Sequence, residues 1–309
     1  MRAAFTTTLL ELAARDSRIL LLTADLGYMA LERFAEKFPR RFFNVGVAEQ
    51  NMIGLATGLA EAGFIPFVYS IVTFAVLRPY EFIRNGPIQH RLPVRIVGIG
   101  GGVEYGSNGL SHYGLEDVAV LRAQPGITVI APADHQQARS AILASWDLPG
   151  PIYYRLGKDE KTVVPGLDGR FELGKLQRIG EGSDLLFVAM GTVANEAAAS
   201  IRELTMQGLA CSLVIVAHVH PAPAQELGDL LATFPIVLSV EAHYRVGGLG
   251  SLVAEIVAER GLPCRLVRCG IDSMPTGVVG NQAYLHERFG LSSEKLAATA
   301  LKALKQTSG

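Results

Sequence analysis

A chain of 309 residues, 49% hydrophobic and 18% charged, has room for two α/β domains with real cores, and its formal charge of −1, with no long Lys/Arg cluster, excludes nucleic acid as the main partner. Three cysteines, Cys211, Cys264 and Cys269, are odd in number and form no C-x-x-C pair, so no disulfide framework is expected. Charges at Arg2, Glu11 and Arg15 interrupt the N-terminus, and no stretch reaches the roughly 20 apolar residues of a membrane helix, so the expectation is a soluble, cytoplasmic protein.

Helical spacing over Phe5–Ala14 leads into an apolar strand at Ile19–Thr23, followed by Asp25. The carboxyl end of a strand is where open α/β sheets place ligands, although an Asp there also serves as an ordinary cap or turn residue. Arg41–Gly63, RFFNVGVAEQNMIGLATGLAEAG, reads as a short strand, a turn at Gly46 and a helix rich in small residues. Glu49 lies in that helix's first turn, and no further charge appears until Glu61. A helix uncharged for so long is expected to be buried, and Glu49 with it. A carboxyl in such surroundings needs a partner or must keep its proton, whereas the plain alternative is a helix-end residue facing the dipole.

After a buried strand at Ile65–Ser70, a loop turning into a helix carries aromatics at Tyr69, Phe74, Tyr80 and Phe82, which could be core or platform. Val94–Gly98 opens into the run Gly100–Gly102, which fits neither G-x-G-x-x-G nor the P-loop pattern. Then come SNGLSHYGLED, a strand at Gly126–Ile130, a helix entered through Asp134, and a strand at Pro151–Leu156 that brings Arg155 to its end. Composition shifts to Gly, Pro and charge across residues 161–183, which reads as a linker between a first domain, 1–160, and a second, 184–309. The second domain alternates strands (Leu185–Ala189, Cys211–Val216, Ile236–Val240, Cys264–Cys269) with helices, which predicts a parallel sheet. His218 and His220 have chelating spacing but no third ligand nearby.

GVAEQNMIGLATGLA resembles the GIAEQ-type segment of the pyrimidine-binding domain in transketolases and 1-deoxyxylulose-5-phosphate synthases, and SNGLSHYG is similar to their DGPTH or DGQTH element. The resemblance runs in order along nearly the whole chain and covers the second half of such an enzyme, a pyrimidine-binding domain followed by a C-terminal domain. It implies two parallel-sheet α/β domains and thiamine diphosphate as cofactor. It also implies that Glu49 holds a proton to the aminopyrimidine, that Asp25 lies beside the thiazolium, and that Phe74, or Tyr69 in a shifted register, stacks on the pyrimidine. His112 would handle substrate protons, Asn108 would stand where the family often has an Asp on a substrate hydroxyl, and Arg155 would bind the substrate's anion.

The family's GDG element, which holds diphosphate through Mg²⁺, is not found in this chain, so the resemblance implies a separate GDG-bearing subunit and a heterotetramer. The implied reaction is transfer of a two-carbon ketol unit between sugars. Gly100–Gly102 stand where transketolases carry a phosphate-binding His, and Gly27–Met29 offer no serine, so a modified or sulfonated sugar is admitted as substrate. The rival readings are the β subunit of a 2-oxoacid dehydrogenase and a non-catalytic scaffold subunit.

Overall fold

The computed structural model describes residues 1–306. The first domain contains α1 (Arg2–Arg15), β1 (Ile19–Thr23), α2 (Glu32–Lys37), β2 (Phe42–Asn44), α3 (Glu49–Glu61), β3 (Ile65–Ile71), α4 (Val72–Val76), α5 (Tyr80–Ile83), β4 (Arg95–Ile99), α6 (Asp117–Arg122), β5 (Thr128–Ile130), α7 (His135–Ser145) and β6 (Ile152–Leu156). The second contains β7 (Gln177–Ile179), β8 (Leu185–Ala189), α8 (Ala194–Met206), β9 (Cys211–Ile215), β10 (His218–His220), α9 (Ala224–Leu231), β11 (Ile236–Tyr244), α10 (Leu249–Arg260), β12 (Arg265–Ile271), α11 (Gln282–Arg288) and α12 (Ser293–Lys305).

The first sheet has seven strands in the order β10-β5-β6-β4-β3-β1-β2, the second five in the order β12-β11-β8-β9-β7. All pairings are parallel except β10 with β5 and β7 with β9, both at sheet edges. Helices cover both faces of each sheet, so β1, β3, β4 and β6 are buried along their whole length and read as unbroken apolar runs.

Strand β10 departs from its own domain to pair with β5 of the first, which makes the two domains share a sheet edge. His218 and His220 therefore sit on a strand; His218 Nδ1 accepts from the Gly174 amide at 2.9 Å, and no cluster among the described residues could hold a metal. The 161–183 stretch also carries structure. Val164 and Leu167 are buried, Asp134 accepts from the Val164 amide at 2.9 Å, and β7 pairs with β9. Strand β11 runs on through Tyr244 where a turn was expected, and so takes Glu241 and His243 into the interior. No helix among the described residues is long and apolar enough to cross a membrane.

Helix α3 is only half buried. Met52, Ile53, Ala56 and Ala60 pack inward, while Gln50, Asn51, Gly54, Leu55 and Gly58 face out. Its lack of charge thus marks an open apolar face rather than a buried helix. Beside that face, Gly54, Thr57, Phe82 and Gly86 line a groove of about 360 Å³.

Candidate active site

Site residues gather where the carboxyl ends of β1, β2 and β3 meet the start of α3 and the loop after β4. Glu49 opens α3 with only 3% of its surface exposed, and its Oε2 accepts from Arg78 Nη1 at 3.0 Å. Arg78 itself is half exposed, so the pair has one foot in the interior and one in solvent. The same guanidinium lies over the Phe74 ring, 4.4 Å from its centre. Phe74 in turn meets the His112 ring edge-on at 5.1 Å, and His112 lies 5.9 Å from the Tyr105 ring. Lys158 closes the row, its Nζ 4.1 Å from the centre of Tyr105. Cations thus flank a row of rings that begins at a buried carboxyl.

Asp25 sits at the end of β1 in the left-handed region, φ 55°, a conformation that costs a non-glycine residue about 1–3 kcal/mol. Asn44 at the end of β2 holds it there: its Nδ2 donates to Asp25 Oδ1 at 2.9 Å, and its Oδ1 accepts from the amides of Asp25 and Gly46, each at 3.0 Å. Beyond Asp25, Tyr28 and Met29 are 86% and 83% exposed, an apolar pair left uncovered among the described residues. Asn108 stands exposed on a turn four residues before His112. His112 Nδ1 lies 2.9 Å from Ser111 Oγ, and partial burial and the Arg78 charge lower the imidazole's pKa, which leaves it neutral near pH 7.

Two expected site residues lie elsewhere. Tyr69 is buried on β3, stacked on Phe5 at 5.7 Å, and belongs to the core beneath the sheet. Arg155 is 5% exposed and turned into the domain junction. Its Nε donates to Asp117 Oδ2 at 2.8 Å, and its Nη2 donates to the carbonyls of Gly114 at 2.8 Å and Ala242 at 3.0 Å. Two of the three guanidinium nitrogens are thus spent within the chain. Two cations border the site, Arg78 and, three residues on from Arg155, Lys158; these two and Tyr105 are the site residues that motif reading passed over.

Residues 1–162 match the family described as transketolase, pyrimidine binding domain, and residues 174–296 match transketolase, C-terminal domain. The chain belongs to the transketolase family. It is 36% identical to a protein described as a transketolase C-terminal section from Methanocaldococcus jannaschii, over 99% of this chain and 96% of that one. It is 33% identical to one of the subunits of an apulose-4-phosphate transketolase from Phocaeicola vulgatus, over 99% and 97%. Identity is 35% to one of the subunits of a 6-deoxy-6-sulfo-D-fructose transketolase from Clostridium sp., over 97% and 93%. Among solved structures, a split-gene transketolase described as an inactive β4 tetramer superposes with a TM-score of 0.87 at 34% identity, covering 98% of this chain and 97% of that one. Transketolase from Campylobacter jejuni, TM-score 0.81 at 20% identity, shares the fold; this chain covers 97% of its own length and 46% of that one.

The residues at the site fit the pyrimidine side of thiamine diphosphate. A desolvated carboxyl can meet a ring nitrogen and its proton, and beside it the partly exposed Phe74 offers an aromatic face. Tyr28 and Met29 leave an exposed apolar rim.

Proposed function

We propose that this chain is the pyrimidine-side subunit of a two-polypeptide transketolase, completed by a separate subunit that carries a GDG element and holds Mg²⁺ and diphosphate. The observation that carries this reading is the Glu49 carboxyl, buried at the start of α3 and paired with the half-exposed Arg78. A scaffold subunit has no use for such a group, and a 2-oxoacid dehydrogenase subunit does not account for relatives named as transketolase subunits over nearly this chain's full length. The split-gene relative described as an inactive β4 tetramer supports dependence on a partner. The open face of α3 and the Tyr28–Met29 rim are surfaces that subunits of a heterotetramer would bury.

When bound, thiamine diphosphate supplies the electron sink through which a two-carbon ketol unit passes from ketose to aldose. Glu49 would hold a proton at the pyrimidine ring nitrogen, which requires Arg78 to release Oε2 and swing outward; its half-exposed position leaves room for that. Phe74 would lie on the pyrimidine and Asp25 toward the thiazolium. His112, neutral near pH 7, can accept a substrate proton and return it. Asn108 would meet a substrate hydroxyl, and Lys158 takes the anion contact that Arg155 does not make. Two relatives are named for anionic ketoses, a phosphate and a sulfonate, and a single flexible ammonium accepts either.

The test is reconstitution with a GDG-bearing subunit, thiamine diphosphate and Mg²⁺. The assembly should transfer ketol units from phosphorylated or sulfonated ketoses, and the lone chain should not. Lys158→Ala in the assembly should raise KM about 10- to 150-fold, the equivalent of about 1.5–3 kcal/mol for a lost charge-assisted contact, with kcat little changed. Turnover by the lone chain, or its binding of the cofactor at micromolar concentration, overturns the reading.

A further inference from the structure

The loop that carries His112 follows β4 and is pinched shut between Gly102 and Gly114. Gly102 and Gly114 exchange amide and carbonyl at 2.9 and 2.8 Å. The first domain holds the enclosed segment at Glu104, whose Oε2 accepts from the Lys158 amide, and at Ser111, whose carbonyl accepts from Thr73 Oγ1 at 3.3 Å, a long bond. Further ties run to the second domain. Tyr113, next to His112, is buried in the hydrophobic core of the second domain, the cluster that also holds Leu285, Ile271 and Ala242. Its hydroxyl lies 2.9 Å from the Gly106 carbonyl and 2.8 Å from that of Val278. The Gly280 amide donates to the same Gly106 carbonyl at 3.3 Å. At the base of the loop, Arg155 Nη2 bridges the Gly114 and Ala242 carbonyls. The approach is close enough that a methyl on Gly102 would lie 2.8 Å from the Ala242 oxygen, and one on Gly106 would overlap the Gly280 oxygen.

A histidine that moves protons must keep its ring fixed to within a fraction of an ångström. The His112 ring has one hydrogen bond, to the neighbouring Ser111, and ring contacts with Phe74 and Tyr105, so the backbone beneath it shares in fixing its position. We propose that the second domain acts as a clamp for this loop and that Tyr113 is a positioning residue for His112. The second domain would then serve the site without contributing a side chain to it. The proposal takes His112 as the substrate-facing group of the reading above, and its test avoids turnover so that the two can fail separately.

Tyr113→Phe keeps the ring in the core and removes only the hydroxyl. In the full chain, the amides of Asn108 and His112 should lose at least tenfold of their protection from hydrogen exchange. The His112 imidazole, followed by NMR, should titrate closer to the ordinary 6.5 once the loop loosens and its ring gains water. Tyr154→Phe, which deletes a buried hydroxyl bonded to Ser145 in a different part of the core, should cost stability and leave both readouts unchanged. Gly106→Ala, which wedges the loop from the second-domain segment, should reproduce the Tyr113→Phe pattern. Unchanged exchange and titration in Tyr113→Phe and Gly106→Ala, or equal changes in Tyr154→Phe, overturn the clamp.

Discussion

Two groups of ionisable residues stand at the ends of strands in this chain, and they are put to opposite uses. At the first, the buried Glu49 joins Arg78, His112 and Lys158, which are partly exposed, along an edge that is partly open. At the second, in the domain junction, Asp117, Arg155, Tyr153, Glu241 and His243 are sealed from water. Asp117 Oδ2 accepts from both Arg155 and Tyr153, and the two oxygens of Glu241 accept from the Leu249 and Gly250 amides at the start of α10. Burial pushes Glu241 up to about 7 and His243 down to about 4, so between those pH values their 3.8 Å contact joins neutral groups and is no ion pair. The lesson is that burial alone does not identify function. A buried charge whose partner is buried with it holds structure, and one whose partner is half exposed can be released for chemistry.

The sharpest break in this contrast comes from Glu49→Gln. The amide matches the carboxyl in size but cannot supply the proton, so turnover of the reconstituted enzyme should fall by about 10²–10⁴. Thermal unfolding of the chain should change little, because Arg78 is half exposed and loses only a solvent-screened pair. A variant that unfolds early while keeping its rate would move Glu49 into the structural class.

Arg155→Met should do the reverse. It leaves Asp117 buried without its cation, a loss of about 3–5 kcal/mol of stability by urea denaturation. If stability holds within about 1 kcal/mol and KM for an anionic ketose rises instead, Arg155 belongs to the site after all.

The smallest effect sharpens the junction itself. His243 is held neutral, so its contribution is complete above about pH 6.5 and is lost as pH falls toward 4. Glu241, raised to about 7, contributes below about 4.5 and loses that as pH rises through 7. The two slopes oppose each other. His243→Gln removes one of them, so the variant should lose stability relative to the parent as pH rises from 4 to 6.5, by at most about 3 kcal/mol. A difference that stays constant across that window would show that His243 does not titrate with folding.

The alternation of apolar strands with helices was enough to determine two parallel-sheet domains, because a strand buried on both faces must be apolar throughout and a parallel return needs a helix. Local order also determined Glu49 at a helix start, Asp25 at a strand end, and His112 with Asn108 on one loop, since each follows from a few neighbouring residues. Tyr69 and Arg155 could not be settled that way. A fully buried strand shows no polar alternation to tell which face Tyr69 joins, and the direction of Arg155 depends on Asp117, 38 residues away, and on Ala242 in the other domain. The uncharged run of α3 was ambiguous for a related reason, because composition reports that a surface avoids water and not which chain covers it. Only the tertiary structure could decide these points, since each depends on partners brought together across the sheet or across the domain junction.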